Sequence, residues 1–273
     1  MKVYIMVDFE GIAGFLEWDD LADSTPGGHE KRHRLRTFLS NEVNAAATAC
    51  FESGAREVLV WDAHMPSGNC NNLYLELLHP ETQVIQGWKG LPAFYPMLDS
   101  SFGAAMYLGM HAMEGTPRAI TPHTRTMLNG HALGEGGMFL AMCSFFKVPT
   151  VFVSGDSAAL DQVLELVPEM EHVRTKWAFG PYAARTITPQ KSCSLIAAGV
   201  RRALERRAEI PCWKLAPPYV FEREDGSGLE GDDLFELYNR RYLGDVKWDD
   251  QEVQPQRGQA GEYKKQLRYR YNL

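Results

Sequence analysis

The sequence has no surplus of positive charge. Its 28 lysines and arginines are outnumbered by 35 aspartates and glutamates, leaving a formal charge of −7 and a pI near 5.7. With so little to neutralise phosphates, nucleic acid is excluded as the expected partner. Cysteine is scarce as well. Cys50, Cys70, Cys143, Cys193 and Cys212 are odd in number, scattered, and in no CxxC spacing. That excludes a disulfide framework or a zinc ribbon and fits the reduced thiols of a cytoplasmic protein. No apolar run approaches the length of a membrane span. The apolar start is broken at Asp8 and Glu10, too early for a secretory signal, and no small-residue cleavage site follows. A cytoplasmic chain with no membrane partner and no internal repeat is therefore expected.

What is present is ordinary globular composition. Of the 273 residues, 45% are hydrophobic and 23% charged, enough to bury a core without disulfides or a structural metal. Short apolar β-rich runs alternate with helical spacing. Strands are expected at 3–7, 57–61, 83–85, 104–110 and 149–153, and helices at about 37–53, 138–146, 158–166 and 190–207. Repeated strand–helix–strand order predicts an α/β fold, a mostly parallel sheet with helices on both faces. After about residue 207 the character changes. Pro211, Pro217 and Pro218 mark a linker, residues 223–233 form a charged, glycine-rich turn region, and residues 233–243 have helical spacing. The expected division is an α/β metallohydrolase domain over 1–210 and a smaller C-terminal lobe or tail over 211–273.

Ligands of parallel sheets gather beyond the carboxyl ends of the strands. Metal-type side chains stand at those points: Asp8 and Glu10 after the first strand, Asp62 and His64 after the second, His111 after the fourth, Asp156 after the fifth. Asp8 and Glu10, at i and i+2, share one face if the strand continues, with Gly11 then letting the chain turn. Asp62 is placed to orient a neighbouring ligand. Glu135, within Gly134-Glu135-Gly136-Gly137, precedes an apolar helix whose N-terminus favours a carboxylate. Asp8, Glu10, His64, His111 and Glu135 together suit a binuclear Zn²⁺ site, with Mn²⁺ or Fe²⁺ admitted by the ligand types. Each residue alone also reads as a helix cap, a solvated acid or a satisfied histidine. Their coincidence at several strand ends favours the metal reading. His123, on a loop beyond the His111 strand, suits proton transfer or stabilisation of a tetrahedral intermediate, and equally suits an ordinary surface histidine.

Two further motifs compete. His29-Glu30-Lys31-Arg32-His33 matches the H-E-x-x-H zinc motif. Pro26, Gly27 and Gly28 before it, and the basic residues within and after it, instead suggest a solvated helix start. Ser154-Gly155-Asp156-Ser157 lacks the G-x-S-x-G frame of a nucleophile elbow and reads as a strand-to-helix turn with a capping side chain.

In these positions the sequence resembles the D-aminopeptidase family of the bacterial dipeptide-transport operon, the M55 metallopeptidases. The stretches that carry the resemblance begin with Val7-Asp8-Phe9-Glu10-Gly11-Ile12-Ala13-Gly14, Asn41-Glu42-Val43-Asn44-Ala45 and Val58-Leu59-Val60-Trp61-Asp62-Ala63-His64. Asn71-Asn72-Leu73, Leu78-His79-Pro80, Gly109-Met110-His111-Ala112, Gly134-Glu135 and the stretch from Val148 to Asp156 continue it in order over about the first 190 residues. The resemblance implies that Asp8, Glu10, His64, His111 and Glu135 are zinc ligands, with Asp8 bridging two ions. It implies that His123 is the catalytic histidine, and it matches Lys176 to a lysine recurrent in the family without assigning it a role. It further implies release of N-terminal residues from short peptides, notably D-amino-acid peptides, and a homo-oligomer. The chain departs from the pattern in having one extra residue between His111 and His123 and a shorter stretch between Phe221 and Asp233. The first expectation is thus a binuclear zinc aminopeptidase on short peptides. The alternatives are a metal-dependent amidase on a small non-peptide amide, and a metal-retaining binding or assembly protein without turnover.

Overall fold

A computed structural model of the chain describes residues 1–17, 26–64, 71–87, 91, 93–222 and 227–243. The elements run β1 (Lys2–Val7), α1 (Pro26–Glu52), β2 (Glu57–Asp62), β3 (Gln83–Ile85), β4 (Ala104–Met110), β5 (Thr126–Leu128), β6 (His131–Leu133) and α2 (Glu135–Phe145). They continue with β7 (Thr150–Asp156), α3 (Ser157–Leu166), β8 (Glu171–Gly180), β9 (Ala183–Thr186), α4 (Pro189–Glu205), β10 (Tyr219–Glu222), β11 (Gly228–Gly231) and α5 (Leu234–Leu243). A seven-stranded sheet has the order β3-β2-β1-β4-β7-β8-β9, parallel except for the β8–β9 pair. The expected α/β fold is present. The central strands β4 and β7 are buried along their whole length, which is why they read as unbroken apolar runs.

Chain order and sheet order fix where the helices lie. From β1 the chain moves outward to β2 and β3, and from β4 it moves the opposite way to β7 and β8. Right-handed crossovers in opposite directions place their helices on opposite faces. α1 packs with α4 on one side of the sheet, and α2 with α3 on the other. The direction reverses between β1 and β4, so a crevice opens beyond the carboxyl ends of those two strands. Fully buried Tyr4, Trp61, Tyr107 and Phe152 fill the layers, each contributing roughly 1.5–3 kcal/mol by leaving water.

Several elements differ from the sequence expectation. α1 begins at Pro26 rather than near 37, because its first turns are charged and largely exposed and carry no apolar period. β8 and β9 form an edge hairpin whose half-exposed pattern gives no strand signature. β5 and β6 form a second hairpin around Asn129 (φ 48°) and Gly130 (φ 76°), the left-handed pair of a tight two-residue turn. The turn region expected at 223–233 contains β11, and β10–β11 join β5–β6 in a four-stranded antiparallel sheet, order β11-β10-β5-β6. α5 matches the helix expected at 233–243, and Tyr238 packs on Phe94, Tyr95 and Phe221. The tail expected from residue 244 lies outside the described residues, as do residues 223–226. Among the described residues, no helix is long and apolar enough to cross a membrane.

The segment after β1 crosses the mouth of the crevice and needs glycine to do so. A Cβ on Gly109, whose φ is +76°, would lie 2.0 Å from the Asp8 carbonyl oxygen, and one on Gly11 would lie 2.3 Å from the Met110 carbonyl oxygen. Two backbones in such contact leave no room for any side chain, and the left-handed φ at Gly109 adds strain for an L-residue. Gly109→Ala is expected to lower stability by at least about 3 kcal/mol in urea denaturation, and a loss under about 1 kcal/mol would contradict this packing.

Candidate metal centre

β1 ends at Val7, so Asp8 and Glu10 lie in the turn beyond it rather than on a continuing strand. They still face the same way, because the Phe9 N–H donates to Asp8 Oδ1 at 2.8 Å and to Glu10 Oε2 at 3.3 Å. His64, just past β2, completes a triad. Its Nδ1 lies 3.0 Å from Asp8 Oδ1 and 3.1 Å from Glu10 Oε2. Asp62 does not orient the imidazole itself. It accepts from the Asn72 backbone and side chain, and the Asn72 amide also donates to the His64 carbonyl at 2.8 Å, so the bracing acts through the backbone.

A second triad stands beside the first. His111 follows β4, Glu135 is the first residue of α2, and His123 comes from the intervening loop. His111 Nε2 is 3.5 Å from Glu135 Oε1, and the His111 and His123 rings stack at 3.7 Å and 14°. His111 Nδ1 donates to the Ala112 carbonyl and His123 Nδ1 to the Thr121 carbonyl, at 2.9 and 2.8 Å. Each Nε2 is thereby left facing Glu135. Thr121 (φ 42°) and Thr124 (φ 60°) hold the loop in left-handed conformations, and the Thr124 hydroxyl donates to Glu135 at 2.8 Å. Asp8 spans both groups. Its Oδ1 faces His64, while Oδ2 lies 3.4 Å from His111 Nε2 and accepts from the Tyr107 hydroxyl at 3.0 Å.

Asp8, Glu10, His64, His111, His123 and Glu135 thus meet in one place, and together they offer two sets of three donors of metal-binding type. Tyr107, Thr124 and Lys176 complete the surroundings. Neither period nor motif marked Tyr107 or Thr124, although Tyr107 is a hydroxyl inside an otherwise apolar strand, which is a usable signal. Asp156 is not part of the cluster's contacts. It caps α3 through the Ala158 N–H and accepts from the Ile120 N–H, as the capping alternative expected. His29 and His33 sit on the exposed start of α1, where His33 bonds to the Tyr74 hydroxyl, and neither belongs to the two donor groups found among the described residues.

The electrostatics call for a cation. Burial, with Glu10 alongside, pushes the Asp8 carboxyl up to about 7, while His64 holds Glu10 well below the usual carboxylate range against the pull of burial. Burial acts to lower His111, yet Glu135, Asp8 and Glu10 outweigh it and raise the imidazole to about 10. His111 Nε2 is buried with no hydrogen-bond partner, aimed between two carboxylates. A buried nitrogen without a partner is costly unless something else satisfies it, and a divalent cation would do so. The donor set of carboxylates and imidazoles fits zinc by type.

The D-aminopeptidase family model, Peptidase M55, matches residues 1–227. The chain belongs to the M55 D-aminopeptidase family. It is 31% identical over 224 residues to a D-aminopeptidase of Bacillus subtilis (strain 168), covering 80% of this chain and 78% of that one. Its fold matches the zinc-dependent D-aminopeptidase DppA of Bacillus subtilis, described as a self-compartmentalizing protease, at a TM-score of 0.80 and 26% identity, over 89% of this chain and 96% of that one. Family membership makes the chain a metal-dependent peptide hydrolase.

Glu135, Asp8 and Glu10 favour a proton on His111, so a divalent cation held there would have to displace it. Cation affinity is therefore expected to rise with pH from 6 to 8, by about tenfold per pH unit for each proton released. Calorimetric titration in buffers of different ionisation enthalpy measures this, and a pH-independent affinity without proton release would refute it.

Proposed function

We propose that the chain is a binuclear zinc aminopeptidase that hydrolyses short peptides, D-amino-acid peptides among them. One observation carries the proposal: the two oxygens of the Asp8 carboxylate face different triads, His64 with Glu10 on one side and His111 with Glu135 on the other. Asp8, Glu10, His64, His111 and Glu135 are the proposed ligands, with Asp8 shared. Zinc bound there would supply Lewis acidity toward a peptide carbonyl and lower the pKa of a water. The D-preference and an assembly of several copies of this chain are taken from the relatives, whose descriptions name a D-aminopeptidase and a self-compartmentalizing protease.

The remaining residues divide the work. His111 is sealed from solvent, whereas the His123 side chain is 32% exposed on the open side of the same cluster. His123 is accordingly the proposed catalytic residue, exchanging a proton with the reacting groups at Nε2 while the Thr121 carbonyl fixes its other nitrogen. Glu135, 3.9 Å from that Nε2 and bonded to Thr124, keeps the ring oriented. Tyr107 steadies Asp8 from below.

Metal analysis of the purified protein is expected to find about two zinc ions per chain, and chelation to abolish hydrolysis. Assayed side by side, D-alanyl dipeptides are expected to be cleaved faster than their L-counterparts. Hydrolysis of simple non-peptide amides with no peptide turnover would replace the aminopeptidase reading with the amidase one. His123→Ala is expected to lose about 10²–10⁴-fold in kcat with zinc content unchanged. Loss of one zinc ion in that variant would make His123 a ligand rather than a proton-transfer group.

A further inference from the structure

The segment that carries Asp8 and Glu10 does not stay near its own strand. After β1 it runs over the ends of β4 and β7 toward β8 and β9. The Gly11 N–H donates to the Gly109 carbonyl, and the Gly14 N–H donates to Thr186 Oγ1 at the end of β9. Its carbonyls turn inward, and buried carbonyls require donors. β8 supplies them. Thr175 Oγ1 donates to the Gly11 carbonyl at 2.5 Å, and Lys176 Nζ donates to the carbonyls of Glu10 and Phe15 at 2.6 and 2.7 Å. Lys176 has no solvent exposure at all.

Burying an ammonium is costly, and a neutral donor would also satisfy a carbonyl. Burial draws the Lys176 amine down to about 7, yet its Nζ, protonated or not, makes two short bonds at once to both ends of the turn. We propose that Lys176 is a positioning residue of the metal centre, its Nζ clamping the Glu10 and Phe15 carbonyls so that the Glu10 carboxylate is held toward His64. The proposal rests on the zinc-site reading above and gives Lys176 a role in that site without contact with metal or substrate. The supports of the same turn from α1 and β9 act elsewhere: Glu42 accepts from the Ala13 N–H, and Thr186 from Gly14. At the Glu10 carbonyl, the bond from β8 comes from Lys176.

Wild-type and Lys176→Met proteins, stripped of metal and titrated with Co²⁺, provide the test, read by visible absorption, competition with a chelator, and kcat and KM separately. Lys176→Met is expected to keep its circular dichroism, bind Co²⁺ about 10–100-fold more weakly, show a changed d–d spectrum, and lose kcat with little change in KM. A Lys176→Met protein with wild-type affinity and spectrum, altered only in melting temperature, would overturn the proposal while leaving the zinc reading intact. Wild-type protein that takes up no Co²⁺ would sink both. Should Lys176→Met not fold, Lys176→Gln, uncharged and one bond shorter, decides on the same readings. A tenfold or greater loss of affinity supports the clamp, and wild-type behaviour overturns it.

Discussion

Asp8, Glu10 and Glu135 are brought within reach of His64 and His111 in a site where all of these but Glu135 are buried. Carboxylates so close repel one another, and in a buried site that repulsion is poorly screened. The imidazoles relieve part of it by holding protons, which is why His111 is raised to about 10 and His64 well above its ordinary value despite burial. A cluster of this kind is unfavourable for folding taken alone, and the surrounding architecture exists in a form that tolerates it. The sheet reverses direction between β1 and β4, so the strand ends open a crevice at the one place where the cluster is assembled.

Holding the cluster falls to the backbone as much as to side chains. The turn after β1 lies against β4 with no space for a Cβ at Gly11 or Gly109, and its inward carbonyls are met by Thr175 and Lys176 from the far side of the sheet. His64 is braced by Asn72 through its carbonyl, and His111 and His123 are each fixed by a carbonyl acceptor at Nδ1. In every case the group that points into the site is left available, and its opposite side is tied. Preorganisation of this sort means that little reordering is needed when a cation or a substrate arrives.

Much of this was legible in the sequence, for identifiable reasons. Strands buried on both faces are continuous apolar runs, so β2, β4 and the start of β7 could be placed almost to the residue, and the ligand-type side chains follow directly after such runs. What escaped notice depends on contacts between distant segments. Tyr107 bonds to Asp8 across two adjacent parallel strands, and adjacency is a matter of sheet order, which periodicity does not encode. Lys176 meets Glu10 only because the turn after β1 travels across two other strand ends. The exposed β8–β9 edge and the charged start of α1 lack the apolar pattern on which such readings depend. The Asn129-Gly130 pair did carry a recognisable hairpin signal between β5 and β6.

The pairing of β1 with β4 has one more consequence. Glu10 and His64 are carried on the β1–β2 side of the sheet reversal, while His111, His123 and Glu135 are carried on the β4–α2 side. The separation between the two donor groups is therefore set by the main-chain hydrogen bonds joining two neighbouring strands, about 4.8 Å apart. That spacing is a property of the peptide unit and does not vary with side chains. Each donor group can be tuned by its own loop, while the strand spacing beneath them stays fixed, a spacing in keeping with the proposal of a paired-ion site, whose ions stand roughly 3.5–4 Å apart.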